Sequence, residues 1–177
     1  LRKYKLDDDY RIRPRAVLER LQEEFRESPT RLRAFVIAEL AYLRGKRHLD
    51  KSDRAAFYYM TSLMYAYAFL FEDDLGKDID YYSPRFRLAC DLYNRSLAKL
   101  ILYTEHQDVA WGRPYTIPSL AGDVILDSGE RTIALPPGSF HAYRTVYEFR
   151  VRGLENVYRT PGIGVPLILL REPPPPD

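Results

Sequence analysis

The sequence has one cysteine, one tryptophan, three histidines and almost no net charge. Each shortage removes a class of function. A lone cysteine, Cys90, permits no intrachain disulfide, so the fold must be held by its core. Its place between Ala89 and Asp91 in a helical stretch reads as a buried, inert thiol and not as a nucleophile. His48, His106 and His141 are scattered without paired ligand spacing, and no zinc site follows from them. With 27 basic against 25 acidic residues, interleaved, the chain has no long-range field to draw in nucleic acid or an anionic membrane. The densest basic stretch, Arg11, Arg13 and Arg15, follows Asp7, Asp8 and Asp9; it reads as a solvated helix entry, not a polyanion site. The longest apolar run, residues 55–71, contains Thr61, Ser62 and several tyrosines. It is too polar for a membrane span and suits a central packed helix. No signal peptide is visible, although a trimmed N-terminus would look the same.

What the chain has in excess is tyrosine, 15 copies, most of them inside apolar helical stretches. Core and interface filling with a hydrated hydroxyl accounts for them better than a ligand role. The region 1–106 reads as about four helices. Pro14 suits a first helical turn, and Val17, Leu18, Leu21 and Phe25 follow at helix spacing. Ser28-Pro29 ends that helix and Thr30 caps the next, whose stripe is Leu32, Phe35, Val36, Leu40 and Leu43, widened by Ile37, Ala38 and Ala41; Gly45 stops it. Ser52 or Asp53 caps a third helix through Leu70, apolar on nearly every side. Ser83-Pro84 opens a fourth, with Phe86, Ala89, Cys90, Tyr93, Leu97, Leu100 and Ile101 as its buried face. Small residues between aromatics on the second and third helices predict a close antiparallel pair, with tetratricopeptide-like hairpin packing.

From about residue 107 to 172 the period changes from 3.6 to 2. Short strands are expected at 109–111, 115–117, 123–126 and 132–135, with Ser128-Gly129 as the hairpin turn between the last two. Two longer strands follow at 145–151 and 165–170 and are expected to pair, leaving some apolar surface open beside them. Gly162 and Gly164 provide the bend into the last strand. Helices first and strands second predict an α+β fold. Residues 173–177 form a proline-rich tail or linker. With Leu1 in first place and that proline run at the other end, the expectation is a region of a longer protein.

No motif carries chemistry. No serine lies in a Gly-x-Ser-x-Gly elbow, and the Ser139–His141 proximity is a poor predictor of a triad. The acidic run Asp73, Asp74, Asp78 and Asp80 lacks EF-hand order and is interrupted by Lys77. Gly162-Ile163-Gly164 lacks the third glycine of a dinucleotide fingerprint. No catalytic, cofactor-binding or metal-binding residue is therefore assigned, and no cofactor is expected.

Three stretches carry a resemblance. They are residues 38–45 (AELAYLRG), residues 64–71 (MYAYAFLF) with 85–94 (RFRLACDLYN), and residues 152–156 (RGLEN) with 161–167 (PGIGVPL). In this order they resemble the region upstream of the catalytic core in large bacterial α/β-hydrolase-fold proteins, lipase- or esterase-like. The resemblance implies an accessory region without the nucleophile elbow, oxyanion loop or triad, which in that family come later in the chain. It also implies a bacterial cell envelope location, on which the composition is silent. The expected role is non-catalytic: packing on or gating a hydrolase core of the same parent chain. The alternative is a stand-alone helical module for a protein or peptide partner. An enzyme in its own right is a third, weaker reading. No transmembrane segment and no nucleic-acid partner are expected.

Overall fold

A computed structural model describes residues 7–75, 80–109, 113–127, 142–145 and 162–170, with side chains from Asp9 onward. Five helices come first: α1 (Asp7–Ile12), α2 (Pro14–Glu27), α3 (Arg31–Gly45), α4 (Asp53–Phe71) and α5 (Pro84–His106). Two antiparallel strand pairs follow, β1 (Tyr115–Ser119) with β2 (Gly122–Leu126), and β3 (Ala142–Thr145) with β4 (Leu167–Leu170). The fold is α+β, as the change of period predicts.

The helix starts obey local chemistry. Thr30, Ser52 and Ser83 each sit in extended backbone, and each side-chain oxygen accepts an N–H three residues on, from Arg33, Ala55 and Phe86. Each cap satisfies one of the donors that a helix N-terminus leaves free. Pro14 and Pro84 occupy the first turns of α2 and α5, where no N–H is needed. The short α1 was not expected. The Asp7–Asp9 stretch is itself helical, and Tyr10 within it is buried, its hydroxyl donating to the Leu40 carbonyl of α3. Burial pushes the Tyr10 phenol up to about 12, so it stays a donor.

The helices α3 and α4 form the tightest pair. Gly45 at the end of α3 faces Tyr59 near the start of α4, and Phe35 meets Phe69 at 5.7 Å at the other end, so the two run antiparallel. A Cβ at position 45 would lie 2.8 Å from the Tyr59 ring. Gly45 thus serves the packing of α4, and the turn continues through Lys46 in right-handed backbone. Leu43, expected in the buried stripe of α3, is exposed instead, since the stripe that α4 and α2 cover is centred on Phe35, Ala38, Ala41 and Gly45.

The central helix is α4, covered by α3, α5 and β1 on different sides. Of its residues, Tyr59, Met60, Thr61, Ser62 and Ala66 are fully buried. Burying side chains of this size contributes about 1.5–3 kcal/mol each for the larger apolar ones. The apolar cover stops near its C-terminus, where Tyr67 is 45% exposed and Phe71 also faces solvent. Along α5 the most buried line runs through Ala89, Leu92, Ser96, Leu100 and Tyr103. The expected Phe86, Cys90, Tyr93, Leu97 and Ile101 flank it, half-buried. The polar Ser96 lies in the middle of the true stripe, which hides it from a hydrophobicity pattern.

The first strand pair extends the helical core. Ile117 of β1 is buried with Tyr59, Met60 and Leu63 of α4. The turn at Leu120 is fastened from two helices: Gln22 of α2 donates to its carbonyl, and its N–H donates to Thr61 Oγ1 of α4 at 2.9 Å. The described partner of β2 is β1, in register Ile117↔Val124, through a turn at 120–121 that the sequence did not point to. The hairpin expected from 123–126 through Ser128-Gly129 lies partly outside the described residues. Residues 128–135 lie outside the described residues, as do 110–112, 146–161 and the proline tail. The strand at 165–170 is observed over Leu167–Leu170, paired with Ala142–Thr145 in register Thr145↔Leu167, slightly before the partner range expected.

Candidate functional site

Among the described residues no group of histidine, cysteine, aspartate or glutamate could hold a metal ion. The described serines offer no nucleophile. Ser62 and Ser96 are fully buried and their hydroxyls have no hydrogen-bond partner, so no base is poised on either. Ser139 and His141 lie outside the described residues. Burial, then the nearby Asp91, raises the pKa of the half-buried Cys90 thiol, so it is protonated at neutral pH and a weak nucleophile.

The buried tyrosines act as braces. Tyr59 donates to Asp50 Oδ1 at 3.0 Å, and Lys99 of α5 pairs with the other oxygen of the same carboxylate. The loop between α3 and α4 is thereby tied to α5. Tyr103 of α5 donates to Asp53 Oδ1 at 2.9 Å and packs edge-on to Tyr115 of β1 at 6.1 Å. Burial first, then these carboxylate and phenol partners, raise both phenols well above their ordinary value. A phenol held so firmly protonated does no acid–base work near neutrality.

A further brace positions the last strand. The Asn94 side chain of α5 donates to the Gly162 carbonyl and accepts from the Gly164 N–H, both at 2.8 Å. Gly162 and Gly164 have φ of +151° and +127°, which a side chain at either position would strain. The bend expected from the sequence is therefore real, and Asn94 fixes it. Beyond it, β3 and β4 share two faces. Tyr143, Thr145, Leu167 and Leu169 turn inward, with the Tyr143 hydroxyl bonded to Thr104 of α5 at 3.1 Å. Arg144, Ile168 and Leu170 lie on the other face, Arg144 paired with Glu105. Ile168 and Leu170 are 38% and 37% exposed, and Ile163 in the bend is open as well. Ile168 and Leu170, spaced by two, form a short apolar strip on the more open face of the pair.

A second apolar surface lies on the helices. Tyr67 and Phe71, one turn apart on α4, pack at 4.8 Å, and Tyr93 of α5 lies 6.5 Å from Tyr67. Near the start of α5, Tyr81 packs edge-on to Phe86, and Tyr82 stands almost wholly in solvent. Of these, the sequence marked Tyr67, Phe86 and Tyr93 as helical filling. Which of them a neighbour leaves uncovered depends on where α5 and its preceding loop pass, and a single-helix pattern does not contain that.

No helix in the described residues is long and apolar enough to cross a membrane. No protein-family model matches the chain, and neither a curated protein nor a solved structure matches it.

Proposed function

We propose that this chain is a non-catalytic accessory region that packs against a serine-hydrolase-like core of the same parent chain. The observation that carries this reading is the open strip of Ile168 and Leu170 on β4, which follows the 162–164 bend that Asn94 fixes. A surface that keeps apolar side chains on a braced two-stranded sheet gains most when a second surface covers it. The resemblance of residues 38–45, 64–71 with 85–94, and 152–156 with 161–167 supplies the identity of the core. The reading frame after Asp177 tests it. A Gly-x-Ser-x-Gly elbow between a strand and a helix is the expected finding, and a following domain without one refutes the hydrolase assignment.

A stand-alone peptide- or protein-binding module is the second reading, favoured by the exposed Tyr67–Phe71 pair beside Tyr93. The two are separable by substitution. Ile168→Asp with Leu170→Asp should abolish packing on the core, whereas Tyr67→Ala with Phe71→Ala should abolish peptide binding.

A further inference from the structure

A cavity of about 590 Å³ opens where α2 begins, α3 ends and α4 begins. Its wall carries Arg13, Arg15, Arg44 and Arg54, with His48 beside them and Asp53 as the one carboxylate among its lining residues. That carboxylate already accepts the Tyr103 hydroxyl. Arg15 is engaged by Glu19 at 2.8 Å, and its guanidinium lies 5.6 Å from the centre of the Phe57 ring. Arg44 and His48 are less satisfied: Arg44 Nε and His48 Nε2 are buried without a hydrogen-bond partner. The His48 ring is stacked on Tyr58 at 5.5 Å and 3°, which fixes its plane.

The sequence gives no warning of this arrangement. The four arginines come from the entry to α2, the last turn of α3 and the first turn of α4, and folding brings them around one space. Like charges gathered by a fold repel unless an anion joins them. The positive field is felt at His48, whose pKa is lowered by burial and then by Arg44 and Arg54. Both guanidinium groups therefore act on the same point of the wall. Planar guanidinium forks match the oxygens of a phosphoryl group, and a dianion answers several of them better than a single carboxylate does. The volume is that of a small-molecule site. Phe57 adds an apolar wall.

We propose that this cavity binds the phosphoryl group of a small soluble molecule, with Arg44 and Arg54 as its principal ligands and Phe57 against the remainder. The lining residues of the site are separate from those of the docking strip.

Calorimetric titration of the chain at low ionic strength, with inorganic phosphate and pyrophosphate as probes, tests it. Saturable one-to-one binding is expected, tighter for pyrophosphate. Arg54→Gln and Arg44→Gln should each weaken it by about tenfold or more, while Arg87→Gln, beside Tyr82 at a separate cavity, leaves it unchanged. Arg54 is solvent-exposed, so its variant keeps the fold and decides the matter if Arg44→Gln unfolds. Absence of saturable binding up to about 10 mM, or wild-type affinity in Arg54→Gln, overturns the proposal. Capture by vesicles of anionic phospholipid, without binding of either soluble probe, also overturns it and assigns the charge to a lipid headgroup.

Discussion

A Cβ at position 45 would meet the Tyr59 ring at 2.8 Å, and that one distance sets the approach of α3 to α4. Gly45→Ala must push Tyr59 away or separate the helices, and is expected to destabilise by about 1–3 kcal/mol, read from urea midpoints. Leu63, 7% exposed, and Tyr67 lie one turn apart on the same helix but differ in cover. Leu63→Ala should cost about 2–5 kcal/mol, and Tyr67→Ala about 1 kcal/mol or less. The sequence placed both in the core, because an apolar-all-round pattern does not say where the neighbouring helix stops. His48 offers a pH test. Its folded pKa lies below the ordinary 6.5, so the unfolded chain takes up the proton first as pH falls. Stability should be full above that value and decline as pH drops through it towards the folded pKa. His48→Gln should flatten the decline, measured as urea midpoints from about pH 7.5 to about pH 5. Nothing in the sequence marked His48 as special, since Arg44 and Arg54 reach it only after folding.

At the scale of elements, the braces decide where strands lie. Asn94 binds both sides of the 162–164 bend. Asn94→Ala removes both bonds and is expected to cost about 1–3 kcal/mol. Amide exchange should then quicken at residues 167–170 while α3 and α4 keep their protection; uniform loss across the helices would mean that Asn94 holds the whole bundle. Helix starts were legible because Thr30, Ser52 and Ser83 cap within three residues of themselves. The turn between β1 and β2 was not. The chain reverses at Leu120, where Gln22 and Thr61 supply bonds from residues 98 and 59 positions away. Local turn chemistry carries no record of such distant partners. The last strand itself was legible from its apolar run after the 162–164 glycines, while its described partner, 142–145, meets the expected range only at Thr145.

Over the whole molecule, the strands attach to the helices at two places, with Ile117 of β1 packed among α4 residues and Tyr143 of β3 bonded to α5. The α+β class was readable from the order of the two periodicities, and open apolar surface beside the last strand from its unbroken apolar run, whereas the cationic cavity arises only from assembly. No serine of the sequence stands in a Gly-x-Ser-x-Gly elbow, and on the accessory reading the chain alone is expected to hydrolyse short-chain aryl esters at the buffer rate. Turnover abolished by a single serine-to-alanine change would contradict that. The accessory role itself is tested most directly by titrating the chain against any separately expressed hydrolase core that its gene encodes. The account predicts saturable one-to-one association, lost on Ile168→Asp with Leu170→Asp while the helical circular dichroism of α2 to α5 is retained. No association, or association that survives both aspartates, would contradict it.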